Sequence, residues 1–532
     1  MLNIKPGQRA AVYCFYDRYG IADDYVITYL KGLKKVCKRI VVVVNGLLTK
    51  ESEIGIRTVT DEIIIRKNEG FDAWAYKTGL EYIGWDRLAE YEEVVICNST
   101  VFGPVYPFRE MFDRMSEKED LDFWGITFHP DLESTDVPNP YGYIPTHIQF
   151  YFVVMRRRFI KAPELKTFWD ALSPINTYDE AVGLAETYFT KYFADKGFKW
   201  DTYINYRFGV DETTHYILLY DPYKAVIKYR CPVIKRKLFF LEPLFTYSNS
   251  IGEKISLLLD YIKKNRLYNT DMIYQNIIRT ADQANFIDNF NFRYSLPTDH
   301  PVPSARKAYL DSALVVMLRN QNGNEEYCSS LQKELNGIIS TKVVSLTEDI
   351  EKNNKKIRNV LSKAVKEYKY IALWNDEEPK DYRYTVINHS NRNIQEMSMF
   401  ASAKYMANVI GIFEKDSKIG MLMPGPSLSS AGSSAPFYDR AKEIAGMTSL
   451  TVPVSFNRNR PVDAGFAWLR SEALVKVMKI RTGSVELAPN DKKVLGVLLP
   501  YFVQHCGYAP GYISTDMLTA RQLARNYYYT NK

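Results

Sequence analysis

The stretch RIVVVVNG, residues 39–46, decides the fold class. A continuous β-branched run without polar alternation marks a strand buried on both faces, as in a parallel sheet covered by helices. Asn45-Gly46 ends the run with turn-forming residues. On its N-terminal side AAVYCFY (10–16) is a second such run, closed by Asp17-Arg18-Tyr19-Gly20. Between the two, Tyr25, Ile27, Leu30, Leu33 and Val36 fall at helical spacing and predict an amphipathic helix over about 24–37. On the other side Glu62–Arg66 (EIIIR) and Glu92–Cys97 (EEVVIC) are further strands, with a helix beginning at Gly70 between them. This alternation is that of an open α/β sheet. Ligands of such sheets bind beyond the carboxyl ends of the strands. The expected edge is therefore Tyr16-Asp17, Asn45, Lys67–Asp72 and Asn98–Thr100.

A second stretch of the chain follows the same order. Ala313–Leu318 resembles the first strand; a helix through Tyr327–Leu335, a strand at Lys342–Leu346, a helix at 356–367 and a strand Tyr370–Leu373 follow. YEEVVICNST (91–100) lies over YKYIALWNDE (368–377), and FTKYFADKGFKWDTYI (189–204) over LPYFVQHCGYAPGYIS (499–514), matching Gly197 with Gly507. At 532 residues and roughly 100–200 residues per domain, two or three domains are expected. The expected fold is α/β, with two diverged Rossmann-like mixed-sheet domains, 1–240 and 306–532. A mixed α/β connector, 241–305, joins them and ends in the proline-containing Leu296–Pro303.

Composition excludes several classes. The net charge of +7 is modest, and no basic block with interleaved aromatics resembles a nucleic-acid reader, so no nucleic acid is expected. Basic residues do gather between Lys224 and Arg266, Lys228, Arg230, Lys235, Arg236 and Lys237 among them. They read either as a solvated face or as one resting on an anionic membrane. Six scattered cysteines show no metal-ligand spacing and fit a reducing compartment. The opening MLNIKPGQRA lacks a signal-peptide layout, and no apolar run reaches the ~20 residues that span a bilayer. A cytoplasmic chain, with any membrane contact peripheral on the inner face, is expected. The 40 tyrosines suit sugar or ring binding, and equally an AT-rich genome.

Five places carry candidate chemistry. Arg66-Lys67-Asn68-Glu69-Gly70-Phe71-Asp72 leaves a buried strand and opens a helix. Such a turn offers backbone N–H groups to phosphate, an arginine to a diphosphate and an aspartate to hydroxyls; it is equally an ordinary strand-to-helix turn. Asn98-Ser99-Thr100, with Gly103-Pro104 beyond, stands where a metal-binding Asp-x-Asp would neutralise a leaving diphosphate. Asp120-Leu121-Asp122 has those letters but falls in the next element. Without a metal, Arg66, Lys67 or Lys77 must supply the positive charge. Trp124, within Asp122–Thr127, is either a wall against a sugar face or a core tryptophan. His147-Ile148-Gln149-Phe150-Tyr151-Phe152 alternates like a strand lining a pocket. Glu186, on a helix ahead of Gly197, is placed to accept a proton from an attacking hydroxyl. Its counterpart in the second half is Gly496, which has no carboxylate.

Arg66/Asn68/Gly70/Asp72, Asn98/Gly103/Pro104, Asp122–Thr127, His147/Gln149/Tyr151/Phe152 and Glu186…Gly197, in that order, resemble the rhamnan synthesis protein F family of bacterial glycosyltransferases. The likeness covers about residues 10–240; the C-terminal half joins it chiefly through Gly465-Phe466-Ala467-Trp468. Where that family carries Asn-Asp-Ser, this chain has Asn98-Ser99-Thr100, and Asn375-Asp376 stands at the matching turn of the second half. The resemblance implies GT-A-like domains and transfer of a sugar, typically L-rhamnose from its dTDP donor, to a cell-wall or capsular polysaccharide on a lipid carrier. Other polysaccharide-assembly enzymes are the implied partners. By this analogy the enzyme inverts, with Glu186 and Asp122 as catalytic carboxylates. Tyr16, Asp17, Arg66, Asn68, Gly70, Asp72, Lys77, Asn98 and Ser99 would bind the nucleotide-diphosphate sugar, and Trp124, His147 and Gln149 the acceptor. A divalent metal (Mg2+ or Mn2+) stays open, at Asn375 and Asp376 if the second domain is the active one. Two other readings stand beside this: both halves active in turn, or a non-catalytic sugar-binding scaffold of a polysaccharide-assembly complex.

Overall fold

The computed structural model of the chain describes residues 2–133, 137–205, 217–241, 251–303, 305–320, 325–375, 385–425, 435–448, 450–455, 466–480 and 491–521. The chain divides into two units, Met1–Asn276 and Ile277–Lys532, so residues 241–276 fall in the first and 277–305 in the second.

The first unit is organised by β1 (Arg9–Phe15), β2 (Arg39–Asn45), β3 (Ile63–Arg66) and β4 (Glu93–Asn98). These pair in parallel in the order β3-β2-β1-β4. Val41 to Val44 are completely buried, as an unbroken β-branched run demands. Beyond β4 the sheet turns mixed. β8 (Phe152–Arg156) runs antiparallel to both β4 and β6 (Phe123–His129), so β6 points the same way as β4. The short β7 (His147–Ile148) and β9 (Trp200–Ile204) both pair with β6. A separate ribbon joins β5 (Val101–Phe102) to β10 (Ile234–Lys235).

Helices α1 (Asp24–Lys34), α2 (Lys50–Arg57) and α3 (Phe71–Ile83) connect the parallel strands. α2 fills the interval between β2 and β3, where the sequence pattern suggested no helix; its N-terminus is capped by the Thr49 side chain. α3 comes close to β1 and β2 because residue 79 is glycine, where a Cβ would stand 2.3 Å from Val12 Cγ1. The segment 147–152, expected as one strand, is two. Ile148 ends β7, a turn closes with the Phe152 N–H donating to the Gln149 carbonyl, and β8 starts at Phe152.

The second unit holds β11 (Arg293–Leu296), β12 (Ala313–Arg319), β13 (Ser340–Ser345), β14 (Tyr370–Asn375), β15 (Ile419–Pro424), β16 (Ala467–Arg470) and β17 (Ala509–Thr515). The succession β13-β12-β14-β16-β15-β17 has the same order and directions as β2-β1-β4-β8-β6-β9. Registers agree too: Arg9 faces Glu93 and Ala313 faces Tyr370, while Glu93 faces Arg156 and Tyr370 faces Arg470. Gly197 (φ 86°) and Gly507 (φ 84°) both take the left-handed conformation, which glycine adopts without strain. The helix expected from 356 begins at Ile350, because the Asp349 side chain caps it by accepting from the Lys352 N–H.

Candidate active site

The carboxyl ends of the parallel strands are tied to one another by side chains. Asn45, buried at the end of β2, donates through Nδ2 to the Phe71 carbonyl at 2.8 Å and accepts from Arg66 Nη1 at 2.7 Å. The same Arg66 nitrogen donates to the Glu69 carbonyl at 2.8 Å, which pulls the turn tight against the sheet. Gly70 (φ 71°) and Phe71 (φ 53°) are both left-handed, and a Cβ on Gly70 would lie 2.2 Å from the Trp74 ring. A left-handed phenylalanine is uncommon and needs support from its surroundings; here the Asn45 amide holds its carbonyl. This geometry brings Asp72, in the first turn of α3, to the end of β4, where Asn98 Nδ2 donates to its Oδ2 at 2.8 Å. Burial, followed by the nearby Glu186 charge, pushes the Asp72 carboxyl up to about 6, against the opposing effects of Asn98 and Lys235.

Glu186 reaches the same place from another direction. It closes a π-helical turn, Val182–Glu186, set between helical segments Tyr178–Ala181 and Thr187–Ala194. Such a bulge rotates the side chains that follow and recurs at functional sites. Thr177 and Glu180 form a capping box at the start of the preceding segment Tyr178–Ala181. Asn139 fastens the bulge by donating to the Gly183 carbonyl (3.1 Å) and to Thr187 Oγ1 (2.7 Å). Glu186 Oε1 lies 3.7 Å from Nε2 of the buried His147. His147 Nδ1 is 2.7 Å from the Pro145 carbonyl, which only accepts, so Nδ1 bears the proton and Nε2 faces the carboxylate. The His129 ring stacks on it at 5.3 Å. Burial alone would raise the Glu186 carboxyl. His147, 3.7 Å away, with Lys235 and His129 adding to its influence, outweighs it and holds the group below the ordinary glutamate range.

Lys235 comes from the β5–β10 ribbon, far away in sequence. Its ammonium lies 4.4 Å from the centre of the Tyr151 ring and donates to Thr100 Oγ1 at 3.3 Å. Burial draws it down to about 8, while the Glu186 and Asp72 charges act the other way. Beside it Thr127 Oγ1 donates to Gln149 Oε1 at 2.7 Å and meets the Tyr151 hydroxyl at 2.5 Å, so Gln149 is fixed at the wall. The exposed Tyr178 stands near both carboxylates, and burial of its hydroxyl with their charges raises its pKa.

The structure therefore gathers Asn45, Arg66, Gly70, Asp72, Asn98, His147, Gln149 and Glu186 from the expected residues, and adds His129, Tyr178 and Lys235. Tyr16 is exposed next to them, its N–H 3.5 Å from Ser99 Oγ, and Asn68 is exposed beside Gly46. Ser99 is buried, its carbonyl accepting from Tyr25 and Arg236. Asp17 is turned into its own loop, accepting from the Tyr19 and Ile21 N–H groups. Lys77 points along α3 to Glu81 and the Trp74 ring.

Two expected residues lie at the opposite edge. Asp122 is fully buried, clasped by Nε and Nη2 of Arg158 and accepting from the Lys199 N–H at 2.8 Å. Trp124 is completely buried against Phe112, with Nε1 toward Glu93 Oε1 at 3.4 Å. Both stand where β6 begins, and β6 runs with β4, so they are a strand's length from Asn98. They do not join the Glu186 cluster. A cavity of about 520 Å³ lined by Glu92, Arg156 and Arg158 lies at that same starting edge. In the second unit Asn375 ends β14 and accepts from Asn320 Nδ2 at 2.7 Å; Asp376 and Gly465 lie outside the described residues.

The basic stretch from Lys224 is not one face. Arg230 pairs with Glu110 at 2.7 Å, Lys235 enters the cleft, and Arg236 is held by the Ser99 carbonyl and Asn276. No sequence signal marks Lys235, since its pairing partner β5 is two residues long and more than a hundred positions away.

Among the described residues no helix is long and apolar enough to cross a membrane. No curated protein matches the chain. The family model described as rhamnan synthesis protein F matches residues 40–364, more than half of the chain, from β2 through the first unit and into the second. The cluster at the strand ends, with Arg66, Asp72, Asn98, His147 and Glu186, falls inside that match, and the chain belongs to the rhamnan synthesis protein F family, with a role in the synthesis of that polysaccharide.

Proposed function

We propose that the first unit is an inverting glycosyltransferase that moves a sugar, L-rhamnose from dTDP-rhamnose, onto a lipid-linked polysaccharide acceptor at the inner membrane surface, beside other assembly enzymes. We further infer that the two units are diverged copies of one GT-A-like domain; the shared strand order and the left-handed Gly197 and Gly507 support it. One observation carries the functional reading. A glutamate held ionised by His147 shares a cleft with Asp72 and Asn98, at the strand ends where a diphosphate would meet the start of α3.

In this reading the acceptor hydroxyl oxygen attacks the anomeric carbon. The bond from that carbon to the diphosphate oxygen breaks, and its electron pair leaves on the diphosphate. The hydroxyl proton passes to Glu186, which is ready to take it because His147 keeps it deprotonated. Asp72 and Asn98 hold sugar or ribose hydroxyls, and Arg66 supports the turn facing the phosphates. Gln149 and His147 line the acceptor side. The products are the extended glycoside and a nucleoside diphosphate.

The test is Glu186→Gln in the full chain, assayed with dTDP-rhamnose and a lipid-linked acceptor. Transfer is expected to fall by about 10³-fold or more, with donor affinity within a few-fold of the parent. Turnover retained by the variant overturns the assignment of the base.

A further inference from the structure

Neutralising a leaving diphosphate needs positive charge within a few ångströms, and the obvious candidates are occupied. Arg66 turns its Nη1 to Asn45 and the Glu69 carbonyl, Lys67 pairs with Glu69 in solvent, and Lys77 turns to Glu81 and Trp74. A divalent cation finds a poor set of donors. Among the described residues no three His, Cys, Asp or Glu side chains converge in a metal-binding arrangement. Glu186 Oε1 already faces His147, and Asp72 Oδ2 already accepts from Asn98. An ammonium, that of Lys235, also acts on both carboxylates, so a dication entering there would meet like charge. The residues present do not fit a metal.

We propose that Lys235 is the cation of this cleft, binding the diphosphate of the nucleotide sugar and stabilising the charge that builds on it as the glycosidic bond breaks. Its ammonium has three donors. Among the described residues one is used, on Thr100 Oγ1, and neither carboxylate closes an ion pair with it within 4.0 Å. The Tyr151 ring beneath holds the charge by its π face, and the β5–β10 pairing fixes the backbone from which the side chain reaches in. Thr100 sits two residues beyond Asn98, whose Oδ1 accepts from the Thr100 hydroxyl at 2.6 Å. One short network thus couples the cation to the Asp72 side of the cleft.

The inference rests on the transferase reading, and the experiment separates the two. Binding of dTDP, UDP and GDP to the full chain is measured by calorimetry in EDTA and again with Mg2+ or Mn2+, for the parent, Lys235→Gln and Lys235→Arg, with circular dichroism of each as the folding control. The expected result is a parent whose nucleoside diphosphate binds equally in EDTA. Affinity should be weakened about 10-fold or more in Lys235→Gln and partly restored in Lys235→Arg, as loss of one charge-assisted contact implies. Unaltered binding in a folded Lys235→Gln, or binding by the parent that requires the metal, overturns the Lys235 assignment alone. Failure of the parent to bind any of the three nucleotides overturns it together with the transferase reading. Should Lys235→Gln fail to fold, Lys235→Met takes its place, and unaltered nucleotide binding in EDTA by that folded variant overturns the assignment equally.

Discussion

Glu186 shows how a mostly buried carboxylate is kept ionised, as the proposed base must be. Burial opposes its ionisation, and the His147–Pro145 hydrogen bond orients a ring nitrogen toward it that reverses the effect. Replacing His147 with alanine leaves the burial and removes the opposing influence of the ring 3.7 Å away. The carboxyl then rises, and the acid limb of the pH–rate profile for transfer moves to higher pH. An unmoved limb in the His147→Ala profile separates the histidine from the base. The parent profile should also fall above about pH 8, as the Lys235 ammonium, faced by Glu186, Asp72, Lys237 and the Tyr151 ring, loses its proton. At this scale the sequence revealed what strand ends and helix starts display: Asn45, Arg66, Asp72 and Asn98 each follow a legible apolar run. It concealed Lys235, delivered by a two-residue pairing, and the positions of Asp122 and Trp124. Those two sit at the start of β6, and which sheet edge that start occupies depends on the antiparallel β8 between β6 and β4. No residue pattern records such an insertion.

The element that places Glu186 is the π-helical turn, and its tolerance is narrow. Gly183, within it, lies against the chain at Val137-Pro138: a Cβ there would stand 2.1 Å from the Pro138 carbonyl oxygen and 2.7 Å from Val137 Cγ1. A backbone oxygen cannot move aside as a side-chain end can, so Gly183→Ala must shift the bulge or the 137–139 segment. The expected cost is about 1–3 kcal/mol, read by denaturant unfolding, with a loss of transfer larger than the stability change explains because Glu186 is carried off its line to His147. A variant of full activity and stability would show that the bulge does not position Glu186. From the sequence this region read as a plain helix bearing a glutamate. The fifth-residue hydrogen bonding of a π turn leaves no periodicity of its own in so short a segment, whereas the buried strands were legible because an unbroken β-branched run has few other homes. The missed helix α2 failed for the complementary reason: it buries only Ser52 and Ile56, too little to print an apolar stripe.

Over the whole molecule, the correspondence between the units predicts where the donor binds. Registers equate Arg39 with Ser340, because Ala10 faces the one and Leu314 the other. Asn45, which ties the Arg66–Asp72 turn to the sheet, then matches the buried Leu346, which can neither hold a carbonyl nor receive an arginine. The turn itself has no counterpart among the described residues. In the first unit α2, β3 and α3 follow β2, and the end of β3 carries Arg66 through Asp72. In the second, the single helix Ile350–Glu367 leads from β13 to β14, and its Asp349 spends its carboxylate on capping. The sequence pairing sets Gly496 against Glu186, so among the described residues the second unit shows neither the turn nor that carboxylate. The full chain should accordingly bind one nucleoside diphosphate per molecule, and Asp72→Ala in the first unit should abolish that binding without exposing a weaker second site. Calorimetric titration with dTDP reads both. A stoichiometry of two, or saturable binding that survives Asp72→Ala with parent affinity, would place a donor site in the second unit and revive the reading in which both halves transfer sugar.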